Sequence, residues 1–461
     1  MKWNLMPLLG TDMNSQRYAA HAFFAMFIPV FLFSLNATAE VYELTPEDDW
    51  FAVLQGDHLQ PGDEVILGEG TYSDPRRLVV SHRGTADRLI VIRGVERSLS
   101  DHARPIFHRP DTRQNSINIE GAQYLVIRGI EITGGSTGIR LMKSQGHACK
   151  FVAIEDMEIH HVGGPAITAN SPGNAYEGLV FRRNEIHHTS GHGEGFYLGA
   201  NNNPDGSTAG YIFNSLIEHN DIHDLNGPDV SQGDGIEIKD GSYNNIVRYN
   251  RISRTNYPGI LVYGTDGKEP NIIENNIITN SEDHGIQAAG EAVIRNNIVF
   301  ESRGPGIGGH PHQSAKIGDL RIVHNTIVLR ESGGSGIRYS VGSADEMMGG
   351  VVIANNAIYV RNDSLAIRIP ESELAGDHFT ILGNIGTGRS EGIPSGANQS
   401  AWNSSGSSLR DLTQDFLPRE NGILIDAAHP DFIVPLDMRG LSREEPCEVG
   451  AYELIQAEPS R

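Results

Sequence analysis

Two cysteines in 461 residues leave little room for thiol chemistry. Cys149 and Cys447 are isolated, so neither a zinc cluster nor a Cys nucleophile motif is present. An oxidising compartment would permit them to pair, and their spacing alone does not decide it. Positive charge is scarce as well: 36 Lys+Arg stand against 58 Asp+Glu, for a net charge of −22. That excludes the basic footprint a nucleic-acid partner requires. A polyanionic partner would need a cation or a local basic patch to mediate it. Long apolar runs are also missing. The one candidate, Ala19 to Phe33, is shorter than the ~20 residues of a membrane span. Ala37-Thr38-Ala39 follows it and fits a signal-peptidase site. Residues 1–39 therefore read as a signal peptide, starting at Met1 or Met13. The mature chain is expected to be secreted or periplasmic, with no membrane span. Finally, residues 115–386 show no sustained 3.6-residue periodicity, which excludes a helical bundle.

What is present is a repeat. An apolar residue, two polar residues, Asn, any residue and an apolar residue recur in that order. The phrase runs Phe181-Arg-Arg-Asn184-Glu-Ile186, Ile217-Glu-His-Asn220-Asp-Ile222 and Val247-Arg-Tyr-Asn250-Arg-Ile252. It returns around Asn276, Asn297, Asn325 and Asn356, and two earlier copies ending at Ile132 and Ile159 lack the Asn. Copies lie about 21 to 36 residues apart, inside the ~20–50-residue range of a solenoid. The alternation of apolar and polar positions is that of strands. A second phrase, such as Gly235-Ile-Glu-Ile238 or Gly259-Ile-Leu-Val262, gives each turn another short strand. The fold class is therefore all-β: a right-handed parallel β-helix of about eleven turns, with rungs roughly 4.8 Å apart. The Asn column reads as a structural ladder of stacked amides.

The chain divides into residues 40–110, a cap with the first turns; 111–386, the repeats; and 387–461, an arm and C-terminal cap of the same domain. Thr45-Pro46-Glu47-Asp48 signals a helix start, with Trp50, Phe51 and Leu54 on one apolar face. This short helix is expected to cover the open end of the solenoid.

Stacking lets outward columns be read directly. Aligned on the Gly of the second phrase, one column is Arg140, Thr168, Tyr197, Glu237, Leu261, Gln287, Gly308, Arg338. Another holds Met142, Asn170, Gly199, Lys239 and Tyr263, and the residues before the Gly include Glu194 and Asp234. Glu194 thus falls over Asp234, and Tyr197 over Glu237. Carboxylates so close need a shared proton or a cation, so Glu194, Asp234 and Glu237 are expected to hold Ca2+. Gly199 is expected to leave a hollow beside Lys239, with Tyr263 on the other side. Lys239 then serves as base and Tyr263 or Tyr197 as acid. His192, Asn201, Arg248 and Asn170 are expected to contact substrate. The longest insertions, Asn201 to Asp205 and Asn226 to Asp229, flank these turns as walls of a binding face. A second cluster stacks His160, His187 and His223 beside His161, His188 and Asp224, as either a transition-metal site or a row of turn histidines.

Pro61-Gly-Asp-Glu-Val-Ile-Leu-Gly-Glu-Gly-Thr-Tyr72, Gly84 to Ile92 and Tyr124 to Ile130 resemble the opening of the chondroitinase B and alginate lyase family. The repeats resemble the wider pectin-lyase-like superfamily. The resemblance implies a Lys base, an Arg partner and a calcium ion that neutralises the substrate carboxylate. The family's Lys precedes an Asn-x-x-Arg-x-Asn segment. Here Lys239 precedes Asn245-Ile-Val-Arg248-Tyr-Asn250, with a longer spacer. The positions five and seven before the Lys hold Asp234 and Gln232, and the next turn offers Leu261 and Tyr263 where the family has Arg. Gly191-His-Gly193 is similar to β-helical polygalacturonases, without their paired aspartates.

These readings converge on an exported monomer acting on an acidic, uronate-containing polysaccharide, foremost a lyase working by β-elimination. A glycoside hydrolase or uronan epimerase on the same fold, and a non-catalytic carbohydrate-binding protein, are the alternatives.

Overall fold

The computed structural model describes residues 38–95, 103–201, 210–311, 318–340, 349–361, 363–369, 378–393, 402–404 and 409–454. The expected leader, apart from Thr38 and Ala39, and the wall segment Asn202 to Asp205 lie outside them. Among the described residues no helix is long and apolar enough to cross a membrane.

Three parallel sheets form a solenoid. Each turn visits them in one order, as in Lys150–Glu155 (sheet A), Glu158–His160 (sheet C), Ile167–Ala169 (sheet B) and back to sheet A at Val180–Arg182. Among the described residues, sheets A, B and C contain 15, 12 and 13 strands. The rod is slightly longer than the repeats alone suggest. Residues 41–95 and 103–109 already form rungs, and Arg389–Glu391 and Trp402–Ser404 add strands beyond Asn384.

Inward positions are Ile, Val, Leu and Phe. Ile154 pairs with Phe181, Phe181 with Ile217 and Ile217 with Val247, all almost fully buried. Each such side chain stabilises the fold by about 1.5–3 kcal/mol. At the corner leaving sheet A, the Asn ladder satisfies the turn. Asn220 Nδ2 donates to Asn250 Oδ1 at 2.9 Å, and Asn250 Nδ2 to Asn276 Oδ1 at 2.9 Å. The same oxygens accept the backbone N–H of the preceding rung at 3.0 Å. The Gly that precedes many of the sheet B strands answers a close approach. A Cβ on Gly235 would lie 2.4 Å from the Gly259 carbonyl and 2.7 Å from Ile252 Cγ2.

The capping helix is shorter than expected, Trp50–Leu54, with Asp49 as its N-cap. The Thr45–Asp48 segment closes a turn of its own instead. Asp48 accepts from the Thr45 backbone N–H at 2.8 Å and its hydroxyl at 2.9 Å, so this acid cannot serve a helix start. The helix occupies the sheet C slot of the first turn, and Trp50 packs edge-on against Tyr72 and Phe107. At the other end the outward residues of sheet C turn apolar. Ile298, Val328, Tyr359 and Ile385 are covered by Leu409, Phe416, Leu424 and Met438. Cys149 and Cys447 are buried free thiols.

Candidate active site

The site lies on the outer face of sheet B, on three rungs: Phe196–Leu198, Ile236–Ile238 and Ile260–Val262. The register pairs Tyr197 with Glu237 and Glu237 with Leu261, as the column alignment requires. Inward Ile236 and Ile238 anchor the central strand at 0 % exposure.

Glu194, Asp234 and Glu237 each bring a carboxylate oxygen within 4.8 Å of the others. Among the described residues this is the one group of three potential ligands so placed. All three are buried, at 0 %, 1 % and 2 % exposure. Both oxygens of Glu194, Oδ1 of Asp234 and Oε2 of Glu237 have no hydrogen-bond partner. Buried carboxylates ordinarily gain such partners, because an uncompensated charge costs several kcal/mol, on the order of the Born penalty after relaxation. Burial raises the Glu194 carboxyl from 4.5 to about 7, and the neighbouring Glu237 pushes the same way. Burial, then Glu237 and Glu194, raise Asp234 well above the usual carboxylate range. Burial also raises Glu237, against the pull of Lys239.

Lys239 ends the central strand. Its ammonium forms an ion pair with Glu237 and lies 3.3 Å from the Tyr263 hydroxyl. It sits between two rings, 4.9 Å from the Tyr197 centroid and 4.7 Å from that of Tyr263. Burial first, and Glu237 second, raise both phenols, so both remain protonated O–H donors. Leu261, Tyr263 and Ala289 form an apolar patch on the next rungs.

Several expectations need correction. Gly199 does not leave a hollow. A Cβ there would meet Lys239 Cβ and Ser242 Oγ at 3.0 Å and the Gly210 carbonyl at 3.2 Å, and its φ of +88° makes it a turn glycine. Lys239 is not a solvated outward side chain but is 5 % exposed. Arg248 lies on sheet A and donates to Glu218 through Nε at 2.9 Å. Asn170 stands one rung beyond Gly199 in the Lys239 column, with Oδ1 buried and unbonded, as is Thr168 Oγ1 in the Tyr197 column. His192 is exposed, with Nδ1 3.9 Å from Glu194 Oε1. Asn201 is exposed at the end of its described segment. The stacked histidines do assemble, with His160 and His187 rings 4.9 Å apart and His187 and His223 rings 5.0 Å apart, but no three of their nitrogens converge. Burial of the acidic cluster had no signal in the sequence. Its sign in the columns was only that acid stacks on acid.

Residues 115–364 match the family model described as "Right handed beta helix region". No curated protein matches the chain. Among solved structures, XylC in complex with xylose aligns with a TM-score of 0.58 at 11% identity, covering 90% of this chain and 98% of that one. A mutant of the PL6 family alginate lyase AlyGC aligns with a TM-score of 0.50 at 15% identity, covering 91% and 59%. A mannuronic acid specific polysaccharide family 6 lyase from human gut microbiota aligns at 0.49 with 15% identity, covering 80% and 91%. At these identities the likeness is one of fold. With its matched segment spanning more than half of the sequence, the chain belongs to the right-handed β-helix family.

Proposed function

We propose that this protein is an exported lyase that cleaves an acidic polysaccharide by β-elimination at the Lys239 cluster. One observation carries the reading: a buried lysine wedged between two tyrosine rings, against three carboxylates whose free oxygens have no partner. Elimination next to a uronate needs a base for the α-proton, a neutralised carboxylate and an acid for the leaving oxygen. In this reading Lys239 takes the proton. In the same reading Tyr263, 3.3 Å from Lys239 Nζ, gives one to the leaving oxygen, and Tyr197 flanks from the preceding rung. Glu194, Asp234 and Glu237 form an all-oxygen donor set of the kind hard cations prefer. A calcium ion held there would supply charge neutralisation for the substrate carboxylate. Export is supported by the apolar segment and the Ala37-Thr38-Ala39 site. AlyGC, a PL6 alginate lyase, shares the fold, which makes alginate a first substrate to try.

The spacing also bears on the rival hydrolase. An inverting glycosidase keeps its carboxyl groups about 6.5–9.5 Å apart to admit water. Here the nearest oxygens lie within 4.8 Å. Incubation with alginate, pectate and glycosaminoglycans should yield ultraviolet-absorbing unsaturated uronate. New reducing ends without that absorbance would replace the lyase with a hydrolase.

A further inference from the structure

One turn beyond the acidic cluster, the chain exposes aromatic rings at the edge of sheet A. Tyr211 and Phe213 point outward from the strand Tyr211–Phe213, while Ile212 between them is fully buried. Tyr243 lies on the next rung, bridged to Phe213, with their rings stacked 5.2 Å apart at 11°. The Tyr211 ring completes the surface, 6.3 Å from Tyr243 at 32°. All three rings are half-buried. Lys268, exposed, holds its ammonium 5.3 Å from the Tyr211 centroid and 4.9 Å from that of Tyr243. Among the described residues no carboxylate forms an ion pair with Lys268, and Glu177 is paired with Lys150 at 2.9 Å.

This surface joins the candidate active site through a single turn. Ser242 Oγ accepts the Ile212 N–H at 3.2 Å and borders Gly199 beside Lys239. Tyr243 is four positions after Lys239, so their Cα atoms lie at most about 14 Å apart. In a chain with a net charge of −22, an unpaired lysine over aromatic faces is a local exception. The two elements have complementary chemistry. The C–H face of a pyranose is apolar and packs on the electron-rich face of a ring. The ammonium held over the Tyr211 and Tyr243 rings can meet a carboxylate on a sugar packed against the adjoining ring surface.

We propose that Tyr211, Phe213, Tyr243 and Lys268 form a subsite that binds one carboxylated sugar unit of the polymer, beside the bond that reacts at Lys239. The identity of the polymer rests on the lyase reading; the subsite itself does not require cleavage.

The test is affinity electrophoresis of the full chain through gels containing alginate, pectate or carboxyl-reduced pectate, run beside the unsaturated-uronate assay. Tyr243→Ala and the Tyr211→Ala/Tyr243→Ala pair should weaken retention by about tenfold, the scale of a partly desolvated aromatic contact. Tyr243→Phe keeps the ring and should bind like the parent, which separates lost stacking from misfolding. Lys268→Gln should weaken retention on the carboxylated polymers and leave the carboxyl-reduced one unchanged. Unchanged retention of the double variant, equal loss for Lys268→Gln on the reduced polymer, or no retention of the parent on any gel would overturn the subsite. Product formation with unaltered retention and KM in the double variant removes the subsite and leaves the lyase. Ring-dependent retention without product removes the lyase and leaves the subsite.

Discussion

Sheets A and B display charge in opposite ways. On sheet A one outward column reads Arg128, Glu155, Arg182, Glu218, Arg248, Glu274, Arg295, and the register pairs each with the next. Signs alternate, so each carboxylate finds a guanidinium one rung away: Arg182 lies 3.2 Å from Glu155, and Arg295 2.6 Å from Glu274. On sheet B, Glu194 stacks on Asp234, and Glu237 shares its negative charge with one lysine. The same fold and spacing thus give a neutral ladder in one place and an uncompensated, buried cluster in another. A solenoid balances charge cheaply when a column alternates. The unbalanced column on sheet B is therefore the departure that calls for a ligand or a proton. Arg248 shows the distinction, because its guanidinium is committed to Glu218 in the ladder rather than to the site.

The comparison can be broken first at Lys239. Lys239→Ala should lower turnover at least about 10²-fold if this amine is the base. It also strips a buried carboxylate of its partner, which costs about 3–5 kcal/mol when the remaining charge stays ionised. Lys239→Arg should recover stability but not turnover, because a guanidinium remains protonated. Thermal melting and initial rates of the two variants measure this. Near-parental rates in the Ala variant would remove the lysine from the chemistry.

A second test uses pH. Burial raises Glu194 from 4.5 to about 7, and Asp234 and Glu237 move in the same direction. The folded chain therefore holds these protons more tightly than the unfolded chain. Their contribution to stability is fully present below about 4.5 and is lost as pH rises through about 7. Without added cation, Glu194→Gln should flatten this part of the melting profile and raise Tm at pH 7 relative to the parent. An identical slope in parent and variant would show that Glu194 is not the group involved.

The smallest effect belongs to sheet A. Arg248→Ala removes one rung of a half-exposed ladder, where Arg182 still lies 3.8 Å from Glu218. A loss of about 0–1 kcal/mol is expected, with the rate unchanged. A large fall in activity at constant stability would return Arg248 to the site.

Much of this is legible in the sequence. Strand alternation and the recurring Gly, replaced by Ala166 in the Thr168 turn, put Thr168, Tyr197, Glu237 and Leu261 in one column, and the pairing register is the same. The Asn phrase announced its ladder, because amides on successive rungs can both donate and accept. What the sequence did not contain was depth. An outward position on a solenoid is ordinarily wet, and nothing in Gly191–Asp240 shows that Lys239 and the acids beside it are almost wholly buried. Gly199 misled for a related reason. A missing side chain suggests space, but the Gly210 carbonyl and Ser242 hydroxyl already occupy it. The helix start at Thr45 failed because Asp48 satisfies Thr45 instead of a helical N–H.

The central claim is that the unbalanced acids of sheet B form a cation-dependent site. Calorimetric titration of the chelator-treated protein with Ca2+, paired with melting curves, tests it most directly. One ion per chain should bind, raising stability by about 2.7 kcal/mol at a hundredfold excess over Kd. Asp234→Asn should abolish both signals. No heat and no shift at millimolar Ca2+, in a protein that still melts cooperatively, would contradict the claim and leave a shared proton among Glu194, Asp234 and Glu237.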